Sequence, residues 1–136
     1  MHHERKVVMK SFKQSFTITI PDKQGYMDLT DDIMECVRRA NIRDGVCIVN
    51  SMHTTASVVT ASNDPETLES YLKFYDKLTT LADEPLRPAL KHQLAGTGVN
   101  IPVCDGELSL GLSQFILYMD FDGEREKTVE INIIGE

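Results

Sequence analysis

The last quarter of the chain constrains the fold most, because apolar and polar residues alternate there over two long segments. The alternating apolar positions are Phe115, Leu117, Met119 and Phe121 in residues 114–121, and Val129, Ile131 and Ile133 in residues 127–134. Alternation with a period of two is typical of a half-buried β-strand. Asp122-Gly123 between the segments is a turn signal. We therefore predict two partner strands at the C-terminal end.

Further strand patterns surround two or three helical ones. Strands are predicted at residues 11–20, 46–52, 58–60, 99–104 and 107–110, with an Asp105-Gly106 hairpin turn between the last two. Helices are predicted from Thr30, as a cap, to Asn41, from Pro65 behind an Asp64 cap, and over residues 88–94. This grouping predicts an α+β fold with an antiparallel sheet or sandwich core. We expect one domain, residues 1–136, with residues 1–10 as a frayed terminus.

Composition excludes several classes of function. The 14 basic and 21 acidic residues give a net charge of −7, which disfavours nucleic-acid binding through the phosphate backbone. No apolar run approaches a membrane span, and the first residues lack the pattern of an export signal. We therefore expect a cytoplasmic protein. Cys36, Cys47 and Cys104 form no CxxC pair and are predicted to be buried thiols.

One unusual polar cluster follows the predicted strand at residues 46–52. It reads His53-Thr54-Thr55-Ala56-Ser57 and places an imidazole and three hydroxyls within five residues. Neutral imidazole can accept a proton or bind a metal, and hydroxyls and turn amides can bind phosphate or sulfate oxygens. Alternatively, the hydroxyls only satisfy backbone groups at a strand break. Sequence spacing leaves both interpretations open.

Two weaker candidates lie further along the chain. Gly111-Leu112-Ser113-Gln114 precedes an apolar strand, so Gly111 permits a sharp turn and Gln114 presents an amide, although an ordinary bend explains the same residues. His92 lies on the third predicted helix, where an isolated histidine more often packs than binds a ligand. Glycine spacing excludes the Walker and dinucleotide phosphate loops, and no GxSxG elbow marks a serine nucleophile.

Several motifs together resemble the YjbQ family, a group often labelled secondary thiamine-phosphate synthase. They are HTTAS at His53–Ser57, NDP at Asn63–Pro65, IPVCDGELSLGLSQ at residues 101–114 and the terminal VEINIIGE. The resemblance runs from about Ser15 to Glu136. The first and third motifs are distinctive in combination.

The resemblance implies a small α+β protein that assembles as a homotrimer, with a polar pocket at the HTTAS histidine. Its implied activity joins a pyrimidine pyrophosphate to a thiazole phosphate. His53 would be the catalytic residue and contact phosphate or a divalent metal, Mg²⁺ or Zn²⁺. His92, nearly one helical turn from the position of the family's helix histidine, is the candidate for a second metal ligand. Thr54, Thr55 and Ser57 would donate to phosphate oxygens. Gln114 would position the second substrate.

This chain also departs from the family pattern at positions near that pocket. Asn63 stands where the family has an acidic residue, Ala89 where a helix histidine is usual, and Ser113 where a tryptophan is usual. The loop at residues 81–88, which carries a histidine in the family, is contracted. These departures favour an alternative function, a noncatalytic trimer that binds a small phosphorylated molecule or anion.

Overall fold

The computed structural model describes residues 6–136, which form eight strands and three α-helices. In chain order these are β1 (Lys10–Thr19), β2 (Gly25–Asp28), α1 (Thr30–Ala40), β3 (Gly45–Ser51), β4 (Ala56–Ala61), α2 (Pro65–Leu78), α3 (Arg87–Ala95), β5 (Gly98–Cys104), β6 (Glu107–Leu108), β7 (Phe115–Asp120) and β8 (Glu126–Gly135). A 3₁₀ turn at Glu84–Leu86 precedes α3. No helix within this part of the chain is long and apolar enough to cross a membrane.

The strands form two antiparallel sheets. The first has the order β1-β8-β3-β5-β6, and the second has the order β2-β7-β4. The chain passes from the first sheet to the second between β3 and β4, through residues 52–55. The predicted α+β fold with antiparallel sheets is thus confirmed.

The smaller sheet is buried on both faces. On one side of β7, Ile116 and Tyr118 belong to the core shared with the larger sheet and α1. On the other side, Leu117 and Met119 pack with Leu68 and its neighbours on α2. The order of layers is therefore larger sheet, smaller sheet, then α2. This double burial explains why residues 115–120 are apolar at every position except Asp120.

Local sequence signals account for the ends of two helices. Asp64 accepts a hydrogen bond from the Thr67 N–H at 3.0 Å, and Pro65 occupies the first turn of α2, as predicted. Asn41 ends α1 in the left-handed conformation, at φ 52°. The predicted Thr30 cap is wrong, because Thr30 is the first helical residue and its hydroxyl donates to Asp28.

The predicted pairing of the last two strands is wrong. The alternation in each segment is confirmed, but β7 lies in the smaller sheet and β8 lies between β1 and β3 in the larger one. The turn at Asp122-Gly123 therefore connects two sheets instead of closing a hairpin. Pairing depends on which distant strands bury the same apolar face, and a local turn signal does not carry that information.

Three smaller predictions also need correction. Strand β2 was not predicted, because its four residues show no alternation. Lys10 already pairs with Gly135 in β1, so the frayed terminus does not extend to residue 10, and residues 1–5 lie outside the described chain. Cys104 is exposed, whereas Cys36 and Cys47 are buried. In β5 the inward positions are Ile101 and Val103, so Cys104 points outward.

Candidate functional site

His53 lies on the connection that joins the two sheets. We call residues 52–55, between β3 and β4, the crossover segment. The Met52 N–H donates to the Thr128 carbonyl at 3.1 Å, and the His53 N–H donates to Ser51 Oγ at 3.3 Å. The side chain of His53 is half-buried, and its ring has no hydrogen bond or ion pair with any residue from 6 to 136. Among the residues that the structure describes, none therefore competes with a ligand for this partly accessible imidazole.

The hydroxyls of the predicted cluster point to different surroundings. Thr54 is exposed and makes no hydrogen bond within the described chain. Thr55 is half-buried, and its Oγ1 accepts a hydrogen bond from Lys127 Nζ at 2.9 Å. Ser57 is fully buried in β4, with its Oγ 3.2 Å from Nδ1 of His92. Thr54 and Thr55 thus share the accessible segment with His53, whereas Ser57 faces the interior.

His92 fastens α3 to β4. Its Nδ1 lies 2.7 Å from the Ala56 carbonyl oxygen, in a side chain only 7% exposed. A carbonyl oxygen can only accept, so Nδ1 carries the hydrogen and donates it. That nitrogen is therefore not available to a metal. Among residues 6–136, no three His, Cys, Asp or Glu side chains come together as a metal site.

Gln114 lies at the far end of the smaller sheet from the crossover segment. In the pairing of β4 with β7, Ala56 lies opposite Asp120 and Ala61 opposite Phe115. Strand geometry therefore separates Gln114 from Thr55 by about 20 Å. Gln114 Oε1 instead accepts a hydrogen bond from the Gly111 N–H at 2.7 Å and closes the local bend. A single chain does not bring Gln114 to His53.

A buried polar network behind Thr55 was not predicted from the sequence. Lys127 and Asp120 form an ion pair at 2.6 Å, and their side chains are 1% and 0% exposed. The phenol of Tyr118 donates to Asp120 at 2.9 Å. Burial, followed by the neighbouring Asp120 charge, raises the pKa of Tyr118 well above its usual value. The phenol therefore remains a neutral donor.

The sequence does contain a signal for this network. Lys127 shares the inward parity of Val129 and Ile131, and Asp120 follows five apolar residues in a doubly buried strand. Charged residues at such positions are seldom fully buried unless they are paired. Two opposite charges at core positions on neighbouring segments therefore indicate a buried pair.

Two other features do not belong to the predicted site. A cleft of about 450 Å³ between β4, α2 and the start of β5 is lined by Val59, Tyr71, Tyr75 and Val99, and contains no predicted site residue. Burial raises the pKa of the Cys47 thiol to about 12, which disfavours the thiolate needed for nucleophilic catalysis.

Comparison with known proteins places the chain in a family. Residues 14–136 match the family model described as UPF0047 protein YjbQ-like. A UPF0047 protein of Archaeoglobus fulgidus is 34% identical over 116 residues, which cover 79% of this chain and 90% of that protein. YugU of Bacillus subtilis, another UPF0047 protein, is 26% identical over 80% of this chain and 89% of its own.

Solved structures show the same architecture. A YbjQ-like protein of unknown function from Sulfolobus solfataricus superimposes with a TM-score of 0.90, at 25% identity, covering 95% of this chain and all of its own. A hypothetical protein from Aeropyrum pernix gives a TM-score of 0.86 at 31% identity, covering 92% and 99% of the two chains. Sequence motifs, family match and fold agree, and the chain belongs to the YjbQ-like UPF0047 family.

Proposed function

We propose that this protein is a transferase similar to secondary thiamine-phosphate synthases, with its phosphate site at the crossover segment. In this reaction the thiazole ring nitrogen attacks the methylene carbon that carries the pyrimidine's pyrophosphate group. A C–N bond forms, the C–O bond breaks, and pyrophosphate leaves with the electron pair of the broken bond. The protein has to orient the two substrates and stabilise charge on the leaving group.

The observation that supports the proposal most is the partly accessible imidazole of His53, which has no partner within residues 6–136 and precedes two threonines in the chain. A ring N–H of His53 and the hydroxyls of Thr54 and Thr55 are donors suited to phosphate oxygens. Ser57 is occupied by the interior contact with His92, so we assign it no substrate contact.

A second subunit would complete the site. Gln114 lies about 20 Å from Thr55 along one chain, so it can orient the second substrate only when a neighbouring copy supplies it. We propose the homotrimer for this reason and because the outer surface of the larger sheet, otherwise largely polar, carries an apolar patch at Val46, Ile48 and Ile134. Val46 and Ile48 on that surface are half-buried, and Ile134 is 41% exposed. Light scattering at three times 15.3 kDa is the expected result.

A divalent metal does not fit the residues of one chain. His92 Nδ1 donates to the Ala56 carbonyl, which leaves only Nε2 of that ring as a possible ligand, and the described residues contain no group of three possible ligands. The steps proposed here are therefore assigned to the chain's own donors. Metal analysis of the purified protein and assays with and without Mg²⁺ test the Mg²⁺ or Zn²⁺ expectation.

A cytoplasmic location also stays a prediction, to be checked by cell fractionation.

A noncatalytic binder of a small phosphorylated molecule or anion is the second candidate. Within residues 6–136, His53 has no carboxylate or second imidazole in hydrogen-bond contact, so no partner orients it as an acid or base. The crossover segment offers donors for an anion whether or not chemistry follows. This arrangement favours binding without turnover.

Synthase assays on the full chain, combined with pyrophosphate titration, separate the two candidates. The decisive variant is His53→Ala, and Met52→Ala is the matched control because Met52 is an exposed neighbour on the same segment. Turnover that is lost in His53→Ala and kept in Met52→Ala supports the transferase. Pyrophosphate binding with no turnover in the wild type supports the binder. Absence of both overturns the proposed site.

A further inference from the structure

The buried ion pair of Lys127 and Asp120 lies directly behind the crossover segment. Both side chains are excluded from water. The desolvation penalty of such a pair often exceeds its Coulombic gain, and apolar residues of similar volume can be at least as stable. A buried lysine and aspartate are therefore not required at these positions for a stable sandwich in general, which leaves room for a second role.

Every donor of the Lys127 ammonium has an acceptor. The three acceptors are Asp120 Oδ1 at 2.6 Å, the Asp122 carbonyl at 2.8 Å and Thr55 Oγ1 at 2.9 Å. The Asp120 carboxylate also accepts from the Asp122 N–H at 3.0 Å and from Tyr118. Three donors thus share the negative charge, while one N–H of the ammonium is directed at the crossover segment.

The contact fixes the orientation of the Thr55 hydroxyl. Its oxygen accepts from Lys127, and its hydrogen has no acceptor among residues 6–136. Thr55 is half-buried, so part of its side chain lies at the surface. A hydroxyl that accepts a hydrogen bond from an ammonium becomes a stronger donor through polarisation. Thr55 is therefore a polarised donor beside the free imidazole of His53.

We propose that Lys127 is a positioning residue for an oxyanion. Its ammonium orients the Thr55 hydroxyl outward, and Thr55 donates to an oxygen of a phosphate or pyrophosphate group held at the crossover segment. This inference rests on the phosphate site proposed above.

The first test is calorimetric titration of the full chain with inorganic pyrophosphate. Thr55→Val keeps the shape but removes both the donor to the ligand and the acceptor of one Lys127 N–H, and we expect the dissociation constant to rise about tenfold. Thr55→Ser restores the hydroxyl and should bring affinity back to within about twofold of wild type. Thr17→Val, an exposed threonine on the outer side of β1, is the control and should bind as wild type does.

The second test addresses Lys127 itself. Lys127→Met combined with Asp120→Asn removes both charges together, so no buried charge is left unpaired. We expect the same loss of affinity as in Thr55→Val, with no further loss when Thr55→Val is added. The ¹⁵N resonance of the Lys127 ammonium should shift when pyrophosphate is added to wild type. A purely structural role would change the melting temperature and leave the resonance and the affinity unchanged.

The outcomes distinguish this inference from the proposed function. If wild type and Thr55→Val bind pyrophosphate equally well, Lys127 does not position a ligand contact. The proposed function is then still tested separately by His53→Ala. If binding depends on Thr55 but no product forms, the synthase proposal alone fails. If wild type neither binds pyrophosphate nor forms product, both are overturned. Product formation without measurable pyrophosphate binding overturns this inference alone.

Discussion

Two buried lysines in this protein are paired with aspartates, and their surroundings differ sharply. Lys127 and Asp120 are both excluded from solvent, at 1% and 0% side-chain exposure. Lys91 is 10% exposed, but its partner Asp76 is 51% exposed and lies at a cleft of about 580 Å³. Gln24 Oε1 accepts a further hydrogen bond from Lys91 at 3.0 Å. We call the first the closed pair and the second the open pair.

This difference in solvent exposure indicates which ion pair matters more for the stability of the fold. In the open pair, water can solvate the carboxylate if the lysine is lost, so the interaction resembles a surface ion pair. In the closed pair, either partner left alone is a charge in a dry environment. Loss of the lysine should therefore lower the free energy of unfolding strongly in the closed pair and weakly in the open pair.

The largest effect is expected from Lys127→Met. It leaves the Asp120 charge buried without its counter-ion, and we expect a loss of about 3–5 kcal/mol in the free energy of unfolding, measured by urea denaturation. Lys127→Met combined with Asp120→Asn is the control and should recover most of this loss. Equal stability of the single and double variants would show that Asp120 is not charged in the folded protein.

A smaller effect is expected from Tyr118→Phe. Asp120 loses one of its donors, which should cost about 1–3 kcal/mol of unfolding free energy. Because the pKa of Tyr118 is raised in the folded state, its contribution is complete below the unfolded value near 10.0 and is lost as the pH rises toward the folded value.

The same variant therefore sharpens the pH profile. Urea denaturation of wild type should show falling stability above about pH 10, and Tyr118→Phe should show a shallower fall. Tyr71→Phe, on the exposed face of α2, is the matched control. Identical slopes in wild type and Tyr118→Phe would contradict the buried, neutral phenol.

The open pair should respond weakly to Lys91→Met. The methionine can fill the volume of the lysine stem while Asp76 stays hydrated, so we expect a change of about 0–1 kcal/mol by urea denaturation. Asp76→Asn is the informative comparison, because it leaves the lysine as the buried, uncompensated partner. If Lys91→Met lost as much unfolding free energy as Lys127→Met, the distinction between the open and the closed pair would be wrong.

The smallest expected effect is the change in these stability differences with salt concentration. At about 1 M NaCl the screening length is near 3 Å, so the stability difference between wild type and Lys91→Met should vanish. The difference between wild type and Lys127→Met should remain, because ions do not enter the closed pair. Parallel salt titrations by thermal melting measure both. A closed pair that weakens with salt would have to be open to solvent.

Sequence reasoning recovered features that depend on neighbours in the chain. The Asp64-Pro65 start of α2 and the Asn41 end of α1 follow from side chains within three residues of the boundary. Sheet membership of β7 and β8 was not recoverable in this way. Both segments are apolar and alternating, and only the packing of distant strands assigns them to different sheets.

The candidate site likewise contains residues that are neighbours in the chain and residues that only distant packing could bring together. His53, Thr54 and Thr55 are close because they are consecutive, and the structure keeps them at one accessible segment. Gln114 was joined to them by resemblance alone, and the register of β4 with β7 separates them. The strand pattern alone does not single out Lys127, which is the first residue of its predicted strand, although its alternation with Val129 and Ile131 places it inward.

The crossover segment has a further consequence because it is only four residues long. Face-to-face sheets lie about 10 Å apart, and residues 52–55 must span from the end of one sheet to the start of the other. Its length is therefore tied to the thickness of the sandwich, so substitutions there should be tolerated far better than insertions or deletions. A ligand bound to the crossover segment would therefore restrict changes in the distance between the two sheets.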